Sequence, residues 1–315
     1  MTRRTGNDPP TAVTALLSDM AEGRLLGASR QVLHIADLFC KLAREQDAAP
    51  LTTMVTRLQD AGERIRAARG HEAPAVADAV RDLLTGIAST GDRAELASML
   101  EARTAALHAR IQKSQEDLGA CGAAVLADGG GPVVVYDYSS SVVSVLASYA
   151  RAGHTLRVIV PESRMLNGGL PIVSIAVEQG HEVAFVPDSA IGTFLPGARA
   201  VLTGAEALLA DGSCINTVGC MAVAILAQYF RVPFYVVSDL SKLYAPSYQG
   251  YAWPLRTRTV ESLVALLPPD VAAHSAVTVT SPEVERIPGV VITAYITDRG
   301  LLPPAAVHVI GRMGL

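Results

Sequence analysis

Three short polar runs hold most of the groups that could do chemistry. Asp137-Tyr-Ser-Ser-Ser141 offers a carboxylate, the Tyr138 phenol and three hydroxyls within five residues. Asp188-Ser-Ala190 and Gly204-Ala-Glu206 add one carboxylate each. Serine hydroxyls and free N–H groups at a helix start make an anion site suited to a phosphate, which Ser139, Ser140 and Ser141 could supply. The plainer reading makes Ser139 or Ser140 an N-cap, and one residue can do both jobs. Asp188 follows an extended run and precedes a helical one, so it too reads as a cap or as a functional acid. Glu206, at the end of an extended run, suits proton transfer or a sugar hydroxyl. Arg164 and Lys242 are the cations suited to a phosphate, and each also suits a solvated surface. Asn216 lies between Gly212 and Gly219, a pattern that permits close backbone approach.

Other chemistries lack residues to carry them. The four cysteines show no CxxC spacing and the seven histidines no HExxH, so no metal site is expected. Cys220 is an outside candidate nucleophile, but it opens an apolar helix, where burial keeps a thiol inert. No GxGxxG, GxxxxGK[ST] or GxSxG occurs, so no nucleotide cofactor or serine-hydrolase reading has a motif behind it. The net charge of −4 and the absence of a basic patch argue against nucleic acid or a membrane surface as partner. No apolar run is long enough to span a bilayer, and residues 1–10 have no apolar stretch behind their basic residues. The expectation is a cytoplasmic protein with a disordered tail over residues 1–10.

The elements that must position these groups fall into two halves. Residues 11–127 read as a helical N-terminal domain. Leu96, Leu100, Leu107, Ile111 and Leu118 form one stripe at steps of four and seven, and Val76, Val80, Leu83, Leu84 and Ile87 form another. After the glycine run at 129–131 the period changes. β-branched runs at Val133–Tyr138, Leu156–Val160, Glu182–Val186, Ala200–Thr203, Phe234–Ser238 and Val290–Ile296 alternate with helix-length segments. That pattern predicts, for residues 128–315, an α/β domain with a Rossmann-like doubly wound parallel sheet. Ligands bind such sheets at the carboxyl ends of the strands, where the polar runs lie.

The ordered runs Pro161-Glu-Ser-Arg164, Asp188-Ser-Ala190, Gly204-Ala-Glu206, Asp211-Gly-Ser-Cys-Ile-Asn216 and Pro233-Phe-Tyr-Val-Val237, with Lys242 and Ile292-Thr-Ala-Tyr-Ile-Thr-Asp-Arg-Gly-Leu-Leu-Pro303, resemble one family. It is the translation initiation factor 2B alpha/beta/delta family, which includes methylthioribose-1-phosphate isomerase and ribose-1,5-bisphosphate isomerase. The resemblance covers about residues 130–305 clearly and the N-terminal helices loosely, through Gly27-Ala-Ser-Arg30. It implies a phosphosugar pocket between the two halves, with Ser29 and Arg30 facing it, and a homodimer or higher assembly. It also implies a catalytic cysteine and aspartate, and here Tyr138 and Glu206 stand in their places. Thr217 replaces the lysine of an Asn-Lys pair.

Aldose–ketose isomerisation needs an acid and a base placed on a two-carbon unit. A phenol starts near pKa 10, about 1.5 units above a thiol, and is bulkier. Displacing a catalytic group by about an ångström can slow a reaction roughly a hundredfold. Three readings follow: a protein that binds a phosphosugar or nucleotide-type ligand without the standard isomerase chemistry; a diverged enzyme working through Tyr138, Glu206 or Asp188; and a structural assembly subunit.

Overall fold

The computed structural model describes residues 9–22, 24–45, 49–70 and 73–313. The tail expected over residues 1–10 therefore lies outside the described residues up to residue 8, and helix α1 (Pro9–Ala21) begins directly after it. Four helices follow: α2 (Ala28–Ala43), α3 (Leu51–Ile65), α4 (Pro74–Leu84) and α5 (Arg93–Ala127). Val32, Ile35, Ala36, Phe39 and Leu42 recur at helical spacing on α2 and are all buried. Val76, Val80 and Leu83 on α4 complete the same core with Leu96 and Leu100 of α5. Burial of each such side chain contributes roughly 2 kcal/mol. Asp92 caps α5, accepting from the Glu95 N–H at 2.8 Å. At 35 residues α5 is about 50 Å long. Its first half closes the helical core, and Leu118 and Leu126 pack beneath the sheet that follows.

That sheet forms from β1 (Val133–Tyr136), β2 (Arg157–Pro161), β3 (Glu182–Val186), β4 (Ala200–Thr203), β7 (Phe234–Val237), β11 (Ala294–Thr297) and β12 (Gly300–Leu302), in the order β3-β2-β1-β4-β7-β11-β12. All pairings are parallel except that of β12 with β11. Helices α6 (Ser140–Arg151), α7 (Gly169–Glu178), α8 (Ile191–Phe194), α9 (Cys220–Tyr229) and α12 (Pro304–Met313) cover it. The alternation of β1 shows both faces buried. Val133 and Val135 join the core with α5, α6 and α7, while Val134 and Tyr136 join the core with α8, α9 and α12. The chain reverses direction across the sheet between β1 and β4, whose ends pair as Tyr136 with Thr203. This puts Asp137–Ser139 beside Gly204–Glu206 at a crevice of the kind that receives ligands.

Two additions were not read from the sequence. The segment holding Asn216 is not an edge of the main sheet. Here β5 (Ala207–Leu208), β6 (Cys214–Thr217) and β10 (Val284–Ile287) form a separate antiparallel sheet that carries Thr217 over the crevice. A second pair, β8 (Thr257–Thr259) and β9 (Thr280–Pro282), frames two short helices, α10 (Glu261–Val264) and α11 (Pro269–Ala272). The last parallel strand also starts later than the β-branched run at 290–296 implied, because Gly289–Val291 forms a 3₁₀ turn. Among the described residues no helix is long and apolar enough to cross a membrane.

Candidate functional site

At the centre of the crevice stands Asp137, with φ of +65°, a conformation open to few residues other than glycine and the Asx pair. The bend turns its carboxylate inward, where Ser163 Oγ donates to Oδ1 at 2.9 Å and Thr217 Oγ1 donates to Oδ2 at 2.5 Å. Gly168 leaves the room: a Cβ there would stand 1.8 Å from Oδ1. Burial pushes the Asp137 carboxyl up to about 6, with the Glu206 charge adding to the rise, against the lowering effect of the two hydroxyls and the Tyr138 N–H. Asp188 builds the loop that delivers Ser163. Its two oxygens accept from the backbone N–H groups of Ser163 and Arg164 at 2.8 and 3.0 Å.

Beside the Asp137–Thr217 pair opens a cleft that Thr217 lines. Gly27 and Gln31 reach it from α2, Thr217 from β6, Glu206 from the turn after β4, and Arg256 and Arg258 from the start of β8. Arg69 and Glu283 line it as well, Glu283 pairing with Arg258 at 2.8 Å. Two acceptor atoms on its wall are buried without a hydrogen bond, Glu206 Oε2 and Gln31 Oε1, and the Arg69 Nε, a donor, is buried on the same wall. Buried acceptors in that condition are rare, and a ligand is one way to complete them.

The remaining sequence-derived residues are placed as follows. Tyr138 packs against the α5–α6 core, its ring behind Gly27. Ser139 is the N-cap of α6, accepting from Val142, and Ser140 is the first residue of that helix. Ser141 is fully buried and faces Gln115 of α5 at 3.5 Å. The Asn216 amide turns away from Thr217, as alternate residues of a strand must, and donates to Thr203 Oγ1 at 2.6 Å. Lys242 is buried and donates to the Ala205 carbonyl at 2.7 Å, which anchors the turn that presents Glu206. Arg164 is exposed and paired with Glu162, Arg30 is exposed, and Ser29 lines a different cavity with Asp239 and Asp298. Thus Glu206 reaches the cleft and Tyr138 backs it. Asp188, Asn216 and Lys242 shape the surrounding turns, and Ser141, Arg30, Arg164 and Ser29 do not line the cleft. Cys220 is buried, its thiol pushed up to about 12 by burial, so it is no nucleophile at neutral pH. Sequence reasoning missed Gln31, Arg256, Arg258 and the central place of Asp137. Only Asp137 had a signal, its position between a strand and a helix.

A helical layer over the strand-order reversal of a mainly parallel sheet, with the cleft between them, is the class of protein these features define. The family model described as "Initiation factor 2 subunit family" matches residues 25–304, and the chain belongs to that family. It is 27% identical over 270 residues to a ribose 1,5-bisphosphate isomerase of Haloferax volcanii, covering 86% of this chain and 82% of that one. A methylthioribose-1-phosphate isomerase of Albidiferax ferrireducens is 30% identical over 196 residues, 59% of this chain and 55% of the relative. Among solved structures, the 5-methylthioribose 1-phosphate isomerase of Pyrococcus horikoshii superposes with a TM-score of 0.78 at 19% identity, covering 97% of this chain and 88% of that one. The translation initiation factor eIF-2B of the same organism superposes with a TM-score of 0.75 at 20% identity, covering 93% and 98%.

Proposed function

We propose that the chain binds a phosphorylated sugar in the cleft between its helical part and the sheet, without isomerising it by a thiol–carboxylate pair. The observation that carries this reading is the pairing of an arginine rim with buried acceptors. Arg256 and Arg258 suit a phosphate, while Glu206 Oε2 and Gln31 Oε1 lack the donors that sugar hydroxyls supply. Tyr138 occupies the position of the thiol and its ring lies behind Gly27 instead of in the cleft, which supports binding without that chemistry. Two relatives are named for acting on phosphorylated riboses. At a hundredfold excess over Kd, ribose 5-phosphate is expected to add about 2.7 kcal/mol and raise Tm by roughly 5 °C, while ribose alone leaves Tm unchanged. Arg256→Ala and Glu206→Ala each reduce the shift. Turnover of ribose 1,5-bisphosphate or methylthioribose 1-phosphate at an enzymatic rate sinks the reading and favours a diverged enzyme. For such an enzyme the neighbouring carboxylates Glu206 and Asp137 are the acid–base pair to test, since Asp188 is engaged with backbone.

The second partner in this reading is another copy of the chain. Leu170 and Val177 on α7 and Phe185 on the edge strand β3 are left in solvent at the β3 edge of the sheet, apolar surface that a second copy would cover. Light scattering at micromolar concentration is expected to give twice the 33.0 kDa chain mass, and a value of 33.0 kDa contradicts the dimer.

A further inference from the structure

We infer that the second cavity, between the helical layer and the loops after β7 and β11, binds a short ω-amino acid, its ammonium on Asp239 and Asp298 and its carboxylate on Arg110. No residue lines both this cavity and the cleft that Thr217 lines, so the inference stands apart from the phosphosugar reading. The cavity measures about 110 Å³, the scale of one small organic molecule. Leu107, Arg110, Ile111 and Ser114 face it from α5 at helical spacing. Two carboxylates face it from the carboxyl edge of the sheet. Asp239, just past β7, is 8% exposed. Its Oδ1 accepts the Ser241 N–H at 3.0 Å and the Ser241 hydroxyl, and among the described residues no donor reaches Oδ2. Asp298 directly follows β11, and its Oδ1 is buried without a hydrogen bond, as is Ser114 Oγ.

Neighbouring carboxylates held out of water call for a cation. Burial raises the Asp298 carboxyl above its usual value and the Asp239 charge adds to the rise, with no cation among the groups that act on it. Lys242, on the turn that Asp239 opens, points elsewhere and donates to the Ala205 carbonyl. A metal ion is a poor fit, since among the described residues no three ligating side chains converge. An alkylammonium fits, because its three N–H donors suit Asp239 Oδ2, Asp298 Oδ1 and Ser114 Oγ. Its chain then lies along Val32, Ala79, Leu107 and Ile111. Arg110 meets the far end. It is exposed and has no carboxylate partner among the described residues, whereas the cavity's third carboxylate, Asp78, is paired with Arg81 at 2.6 Å. Arg110 and Ser114 are one helical turn apart, about 6 Å along the axis, which a spacer of about four methylenes covers.

Isothermal titration of the full chain at pH 8 with 5-aminopentanoate, pentylamine, pentanoate and 1,5-diaminopentane tests this. The amino acid is expected to bind roughly tenfold more tightly than pentylamine or the diamine, which bring no carboxylate to Arg110, and pentanoate is expected not to bind. Asp298→Asn loses roughly tenfold for the amino acid and for pentylamine alike. Arg110→Gln, a change of an exposed side chain, brings the amino acid down to the level of pentylamine and leaves pentylamine as it was. Should Asp298→Asn fail to fold, Arg110→Gln still decides. Pentanoate or the diamine binding as tightly as the amino acid overturns the inference, and so does the absence of heat from all four at millimolar concentration. Neither result touches the phosphosugar reading, which is checked in the other cavity.

Discussion

Gly219→Ala is expected to destabilise the protein by about 4 kcal/mol, and Tyr136→Phe in the same chain to return part of the loss. Gly219 ends the turn between β6 and α9 at φ +99°, where an L-residue costs roughly 1–2 kcal/mol by itself. The larger effect is steric. An added Cβ would stand 2.0 Å from the Tyr136 hydroxyl oxygen and 3.0 Å from Cζ. Tyr136 cannot swing aside, because it is 2% exposed at the end of β1 and its hydroxyl donates to the Val218 carbonyl at 2.8 Å. The turn must move instead, and it carries Thr217 two residues upstream. Tyr136→Phe alone loses one hydrogen bond, about 1 kcal/mol. In the double variant the colliding oxygen is gone, so the two losses sum to less than their separate values by roughly 2 kcal/mol. Urea unfolding of the four proteins measures the coupling. Additivity within about 0.5 kcal/mol would show that the collision does not set the cost.

How much of this was legible in the sequence depended on the range of the contact. Periodicity is local, so the α5 stripe held: Leu96, Leu100, Leu107 and Leu118 are all buried, with Ile111 packed beside them. The alternation of apolar runs and helices led to the parallel sheet, and the ordered polar runs at its edges led to the family. The small β5-β6-β10 sheet escaped because its strands are two to four residues long and its pairing joins residue 216 to residue 285. Without that sheet, Thr217 reads only as a missing lysine; with it, Thr217 reaches Asp137 eighty positions earlier in the chain. Gln31 was invisible for a different reason. Its role comes from a carbonyl six residues back that takes its amide hydrogens, and residue type does not encode that orientation. Carboxylates at strand ends were correctly found, but their directions were not. Asp188 spends both oxygens on backbone N–H groups, whereas Glu206 keeps one for the cleft.

Asp137→Asn is expected to stabilise the protein above pH 7 and to have little effect near pH 4. The Asp137 carboxyl sits at about 6 against an ordinary 3.8, because burial disfavours its charged form more than the Thr217 and Ser163 hydroxyls favour it. A carboxyl raised in the fold binds more protons folded than unfolded between those two values. Its contribution is therefore fully present below about pH 4 and lost as pH climbs through 6. A shift of about 2 units corresponds to about 3 kcal/mol, the upper bound on what the ionised group takes from stability at pH 8. Asparagine carries no charge, accepts φ of +65°, and can receive one hydroxyl while donating to the other. The variant should thus gain 1–3 kcal/mol (on the order of the same shift, less the weaker hydrogen bonds) at pH 8, with the gain fading through pH 6 and gone near pH 4. Denaturant unfolding at pH 4.5, 6 and 8 follows the difference. A variant less stable than the parent at pH 8 and pH 4.5 alike would mean that the hydroxyls outweigh burial and hold the carboxyl below its ordinary range. The same substitution frees the Thr217 hydrogen, since an asparagine amide placed toward Oγ1 donates to it. The cleft then gains a donor at residue 217, so the affinity for ribose 5-phosphate should change even as the fold becomes more stable.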